Sequence, residues 1–283
     1  MNDKVYKIIT EKVIEALKNG KAPWRRTWRV NSLANLKTKK PYRGGNVFIL
    51  AAAGFDSPWF LTFKQAKDMG GMVRKCETGT PIIFWSFREK RDSVTGEVET
   101  GRFPVLRYYT VFNVEQIDGL DGKIPKVETK ERTEVETVTE CEALVVAMTL
   151  RPEIKHGGDR AFYRPSTDHV QMPKQDAFDD SAAYYSTLFH ELVHSTGHSK
   201  RLGRKGIEEF DHFGSEQYSK EELVAEMGAA FLCGITGIGN TRTIENTGAY
   251  LRNWASKLEE DPKLFVQAGN AAQKAVDFIT SIK

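Results

Sequence analysis

Tyr184-Tyr185-Ser186-Thr187-Leu188-Phe189-His190-Glu191-Leu192-Val193-His194-Ser195-Thr196-Gly197-His198 is the stretch whose reading decides the fold. Its helical signals agree. Ala182, Ala183, Leu188 and Leu192 favour helix, Asp179-Asp180 put acid near its start, and Gly197 suits its end. Residues four apart on a helix lie on one face, one turn above each other. His190 and His194 at that spacing can hold one Zn²⁺ between them, and Glu191 beside the first can take a proton from water. The plain alternative is an amphipathic core helix with two exposed histidines.

A zinc site needs a third protein ligand. His198 continues the histidine row, but it stands about 12 Å from His190 along a straight helix. That is too far to share an ion through bonds of about 2 Å. The pattern with a histidine six residues after the second one fails, because that position is Lys200. The better source is Ser219-Lys220-Glu221-Glu222-Leu223-Val224-Ala225-Glu226-Met227-Gly228-Ala229-Ala230-Phe231-Leu232. Ser219 is expected to cap this helix with Glu222 at the third helical position. Glu222 and Glu226 then share one face, with Leu223, Met227, Ala230 and Phe231 toward the core; a merely solvated acidic face is the alternative.

The segment Glu222-x-x-Ala225-Glu226 resembles the second helix of zincins of the thermolysin type. The resemblance implies Glu222 as the third ligand and Glu226 as a carboxylate backing a ligand histidine, a support such histidines commonly have. Glu stands here where Asp is more usual, so the two roles are open to exchange.

The chain has 283 residues, and its 40% hydrophobic content suffices for proper cores. It contains no run of 18 apolar residues, so no membrane span is expected. Residues 1–20 read as an amphipathic helix without a signal-peptide core. Cys76, Cys141 and Cys233 are odd in number and widely spaced, as expected of reduced cytoplasmic thiols. Net charge is only +3, yet residues 1–125 carry 22 Lys/Arg against 13 Asp/Glu, while the remainder carries 19 against 25. That asymmetry points to an anion-binding N-terminal part, with nucleic acid the first candidate.

Basic residues alternate there with aromatics. Trp24, Arg25, Arg26 and Trp28 form one group, Tyr42, Arg43 and Asn46 a second, and Trp59, Lys64, Arg74 and Lys75 extend the set. Cations follow phosphates and aromatic faces stack on unpaired bases, so single-stranded DNA is the expected partner. Trp24 and Trp28 as core anchors is the alternative. A short helix is expected from Thr62 to Met69. Strands are expected at Met72–Lys75, Pro81–Phe87 and Phe103–Val114, with a polar hairpin tip at 92–101. The charged stretch before Cys141 reads as a linker that lets two domains move. Phe162–Pro165 and Asp168–Pro173 read as strands about a turn, suited to aligning an extended peptide beside a metal. Helices around 250–259 and 262–282 close the chain. The fold class is therefore α+β in two domains: 1–125 with a small antiparallel sheet, a linker at 126–140, and a mostly helical zincin-like unit at 141–283.

Taken in order, Tyr42-Arg43-Gly44-Gly45-Asn46, Thr62-Phe63-Lys64-Gln65-Ala66, Val73-Arg74-Lys75, Phe112-Asn113-Val114-Glu115-Gln116, the His190 motif, Arg201-Leu202 and Glu222–Glu226 resemble the ArdC-type antirestriction proteins of conjugative plasmids. The N-terminal module of that family also occurs in plasmid TraC primases. Cys76 departs from the family, which carries Gly there, so a different turn is expected. The resemblance implies a single-stranded-DNA-binding domain joined to a zincin-like metallopeptidase domain, and protection of incoming plasmid DNA from restriction. It implies one Zn²⁺ per chain on His190, His194 and Glu222, with Glu191 as catalytic base, and leaves open whether the peptide substrate is a host restriction protein or another protein. Tyr163, His212 and Tyr218 are the candidates for a donor to the developing oxyanion.

Overall fold

In the computed structural model, which describes residues 2–25, 33–91, 98–125, 133–208, 216–239 and 248–281, the first half begins with α1 (Asn2–Lys18), β1 (Ala34–Asn35), α2 (Gly45–Ala52), β2 (Trp59–Thr62) and α3 (Phe63–Asp68). It continues with β3 (Met72–Val73), the long ribbon of β4 (Thr80–Arg91) and β5 (Val98–Asn113), and β6 (Ile117–Asp118). The second half runs α4 (Glu134–Ala147), β7 (Glu153–His156), β8 (Phe162–Arg164), β9 (His169–Met172), α5 (Ser181–Ser195), α6 (Lys205–Glu208), α7 (Glu216–Thr236), α8 (Gly248–Glu260) and α9 (Leu264–Thr280). The architecture is α+β, with mostly antiparallel sheets.

The first sheet has the order β1-β2-β5-β4, with β1 parallel to β2 and the other pairs antiparallel. A short β3–β6 pair stands beside it. Thr62 caps α3 as its side chain accepts from Gln65 N at 3.2 Å, while Gln65 Oε1 accepts from Thr62 N at 2.9 Å. Cys76 has φ +68°, the left-handed conformation a glycine would favour. The backbone there takes a glycine-like bend with a side chain on it.

The expected division of the chain meets a continuous core. Val5, Ile9, Val13 and Leu17 recur at helical spacing on α1, and their buried face joins one cluster with Phe48 of α2, Phe189 of α5, Phe231 of α7, Leu258 of α8 and Phe265 of α9. α1 lies against α8, and α2 against α9. The α2–α9 contact is made backbone to backbone, since a Cβ added at Gly269 would stand 2.6 Å from Gly45 N. The expected linker is also shorter than read. α4 starts at Glu134, inside it, with Thr133 and Glu136 forming a capping box. Smaller cores form around Leu61 and Ile117, and around Phe60 and Val111.

In the second half β9 lies between β7, parallel to it, and β8, antiparallel to it. This leaves β8 as an edge beside α5. α5 is buried along nearly its whole length from Ala183 to Ser195, as expected of the central helix of a domain. Asp180 caps it, accepting from Ala183 N at 2.7 Å. No helix among the described residues is long and apolar enough to cross a membrane.

Candidate metal centre and nucleic-acid surface

α5 and α7 pack face to face, and the approach depends on Gly228: a Cβ there would meet Val193 Cγ2 at 2.7 Å. The contact brings His190 and His194 opposite Glu222. His190 Nε2 lies 3.0 Å from His194 Nε2, Glu222 Oε2 lies 3.6 Å from His190 Nε2, and Glu222 Oε1 lies 3.5 Å from His194 Nε2. Donors bonded tetrahedrally at about 2.0–2.1 Å stand roughly 3.3–3.4 Å apart, so these three fit one ion. Among the described residues this is the one such group of His, Cys, Asp and Glu, and no cysteine belongs to it.

Charge around the donors favours a cation. Burial pulls the His194 imidazole down, but its contacts with Glu221 and Glu222 outweigh this and push it up to about 10. Burial raises the Glu222 carboxyl, yet the two imidazoles hold it well below the usual carboxylate range. Burial likewise raises Glu221, and hydrogen bonds from Arg204 and His194 hold it low.

The carboxylate behind His194 is Glu221, and Glu226, expected in that place, lies elsewhere. Glu221 Oε1 lies 3.3 Å from His194 Nδ1, and Arg204 grips Glu221 with contacts of 2.9 and 2.5 Å. Arg204 also donates to Val193 O at 2.8 Å and Thr196 Oγ1 at 2.6 Å, tying the cluster to the end of α5. Glu226 lies one turn beyond Glu222, about 6 Å further along the helix. There it accepts from Trp24 Nε1 at 2.7 Å and from the Tyr250 hydroxyl. The cap expected at Ser219 is also corrected. α7 begins at Glu216, so Ser219 lies inside it and accepts from Lys257 Nζ at 2.6 Å.

Glu191 is buried, and its Oε2 accepts from the backbone N–H of Tyr163 on β8 at 2.9 Å. The edge strand is thereby fixed against the motif helix. The Tyr163 hydroxyl donates to Asp168 at 2.9 Å and accepts from Arg201 at 3.2 Å. Burial, with Asp168 beside it, pushes the phenol well up. Tyr218 stands one turn before Glu222 on α7 and lines the cleft of about 650 Å³ that holds the three donors. His212 lies outside the described residues.

The expected DNA-contacting residues scatter. Trp24 is 1% exposed and packs against Trp254 and Phe265, so it offers no face to a base. Arg26 and Trp28 lie outside the described residues; Arg25 closes the turn Pro23–Arg25. Tyr42 is half-buried against Phe60, and Arg43 pairs with Asp277 of α9 at 2.5 Å. Asn46 spends both ends of its amide on the Ile83 backbone, at 2.9 and 2.8 Å. Trp59 is half-buried, with Lys39 Nζ 4.6 Å from its ring centroid. Lys64, Arg74 and Lys75 are exposed, Arg74 pairing with Glu77 at 2.7 Å.

An aromatic group missed in the sequence stands on the β4–β5 ribbon. Phe84, Trp85, Tyr108 and Tyr109 are all exposed, and the Phe84 and Tyr109 rings meet edge to face at 5.9 Å. The signal was two adjacent aromatic pairs in strands. Neighbouring strand residues point to opposite faces, so each pair sets one ring on either side of the ribbon.

Known proteins resemble this chain over nearly its whole length. Residues 3–112 match the family described as the N-terminal domain of anti-restriction factor ArdC, and residues 139–271 match a zincin-like metallopeptidase family. A DNA primase TraC of Escherichia coli is 39% identical over 298 residues, which is 97% of this chain but only 27% of that protein. An uncharacterized Sinorhizobium fredii protein, y4eC, is 32% identical, with 97% of this chain and 91% of that one aligned. The crystal structure of the antirestriction protein ArdC from plasmid R388, in its metal-free form, superposes with a TM-score of 0.77 at 32% identity, covering 98% of this chain and 96% of that one. A second structure of that relative is Mn(II)-bound. The chain thus spans about a quarter of the primase and nearly all of ArdC, and it belongs to the ArdC family of antirestriction proteins, with an ArdC-type N-terminal domain followed by a zincin-like metallopeptidase domain.

Proposed function

We propose that this protein binds single-stranded DNA, hydrolyses peptides at a zinc centre, and protects incoming plasmid DNA from restriction. The observation that carries the peptidase reading is the convergence of His190, His194 and Glu222 at 3.0–3.6 Å with Glu191 alongside. Those three residues would hold one Zn²⁺, and a zinc ion so bound acidifies water and polarises a carbonyl. Glu191 takes the proton from water and delivers it to the leaving amine. The Tyr163 N–H holds the Glu191 carboxylate over the cleft. Tyr218, on the same face of α7 as Glu222, supplies the hydroxyl that meets the developing oxyanion. The Tyr163 phenol is held by Asp168 and Arg201. β8 aligns the substrate as an added strand. A structural zinc site would ordinarily be closed by four protein ligands; the three donors found among the described residues support an open one.

The Mn(II)-bound relative supports a divalent metal here. The TraC likeness and the ribbon aromatics support the DNA partner. The test combines three measurements on wild type and Glu191→Gln: metal content, affinity for oligothymidylate, and restriction of incoming DNA in cells. Equal metal and DNA affinity with lost protection in Glu191→Gln makes proteolysis the effector. Retained protection makes strand coating the effector. Zinc-free protein that fully cleaves peptides would end the metallopeptidase reading.

A further inference from the structure

Among the described residues every carboxylate lining the cleft is already engaged. Glu222 faces the two ligand imidazoles, Glu221 holds His194 and Arg204, and Glu191 accepts from Tyr163 N–H. Two guanidiniums on the same wall are not. Arg160 and Arg164 both line the cleft and are exposed, and among the described residues neither makes an ion pair. Arg164 is held in place without being neutralised, for its guanidinium carbon lies over the Phe162 ring, 5.0 Å from the centroid. Ring contact orients a cation and leaves its charge available to a further partner.

From this juxtaposition we infer that the cleft selects peptides with an Asp or Glu side chain beside the bond that is cut, an inference that rests on the peptidase reading. An extended segment added to β8 presents alternate side chains on one face. Phe162 and Arg164 share such a face, so an acidic side chain there meets a guanidinium that can bind it in the two-pronged way suited to carboxylates. A basic side chain in the same place meets like charge. Strand addition at β8 favours a peptide over a nucleic-acid phosphate as the occupant, because peptide backbone groups alone complete the sheet edge.

The test uses the full chain carrying Glu191→Gln, loaded with zinc, so that binding is read without turnover. Fluorescein-labelled alanine-based octapeptides carry Glu, Gln or Lys at each position in turn, and binding is followed by anisotropy. Glu peptides should bind about tenfold tighter than Gln peptides at one or two positions, with the preference shrinking as salt rises. Arg160→Glu/Arg164→Glu should reverse the preference toward Lys, and the milder Arg164→Gln should reduce it while keeping zinc content. Equal binding of Glu, Gln and Lys peptides, or no peptide binding at all, overturns the inference. So does oligothymidylate binding that is lost in the double variant but retained when Phe84 and Tyr109 are changed, since the guanidiniums would then serve phosphates. The reading beneath is tested separately with wild-type zinc protein: cleavage of the peptides without acid preference sinks the inference alone, whereas acid-selective binding without any cleavage sinks the peptidase reading alone.

Discussion

Trp24 Nε1 donates to Glu226 Oε2 across 2.7 Å, joining the turn after the first helix to the helix that carries Glu222. A residue expected to stack on DNA and a residue expected to back a metal ligand are thus partners of each other. Trp24→Phe removes the donor and leaves a carboxylate short of one hydrogen bond, at a cost of about 1–3 kcal/mol. Urea denaturation should show this loss, while metal content and oligothymidylate affinity stay at wild-type levels. A drop in DNA affinity without a drop in stability would return Trp24 to the DNA surface.

Glu221 and Glu226 should separate in metal binding. His190→Ala and Glu222→Ala should abolish zinc retention. Glu221→Ala should weaken it by about 10–100-fold, the usual effect of removing the partner of a ligating histidine. Glu226→Ala should leave it unchanged. Chelator competition monitored by a zinc dye measures all four.

Phe84→Ala and Tyr109→Ala should each weaken oligothymidylate binding by about 1–3 kcal/mol, the usual worth of one base–aromatic contact. Both rings are exposed, so melting temperatures should barely move. Fluorescence titration at two salt concentrations checks this; unchanged affinity would remove the ribbon from the DNA surface.

Asp168 gives an acid-sensitive contribution to stability. Burial pushes its carboxyl up, but Arg201 and Tyr163 outweigh that and hold it below its ordinary value of 3.8. A depressed folded-state value stabilises the native form above pH 3.8, and this is lost as pH falls through the folded value. Asp168→Asn tolerates the left-handed backbone at this position, φ +49°. The variant should be less stable at neutral pH and lose part of the wild type's decline below pH 4. Denaturation midpoints from pH 2 to 7 test it.

Cys76→Gly should be neutral to stabilising by up to about 1 kcal/mol. Relief of a left-handed side-chain conformation, worth about 1–2 kcal/mol, is partly offset by glycine's extra unfolded-state entropy of about 0.5–1 kcal/mol. A fall in the thermal midpoint would show that the Cys76 side chain itself contributes.

The local signals were plain in the chain: His190 and His194 one turn apart, acid at Asp179-Asp180 before the motif helix, and a short helix from Thr62. Each is fixed by neighbours within a few positions. What the sequence left unresolved depended on how α5 and α7 are rotated against each other. Glu221, Glu222 and Glu226 all lie on α7, and spacing alone does not say which meets His194 Nδ1. The answer comes from the approach at Gly228, and from Arg204, which reaches Glu221 from outside either helix. Trp24 was ambiguous for the same reason: a tryptophan among cations can face solvent or anchor a core, and α8 and α9 decide it. The length of α4 was legible and overlooked, because Thr133-x-x-Glu136 sits in a charged stretch that composition alone marks as a linker.

The bare contact between Gly45 and Gly269 ties the heredity of the two halves together. Gly45 sits in the segment that marks the N-terminal module, and Gly269 sits far away in the last helix, yet a methyl group on Gly269 would meet the Gly45 backbone at 2.6 Å and one on Gly45 would meet the Phe265 ring of the same helix at 3.0 Å. An exchange of N-terminal modules between relatives succeeds only where the incoming loop and the resident last helix both keep glycine at this point. Such a chain evolves as one inherited block, and chimaeras built from it should be cut so that both sides of that seam come from the same parent.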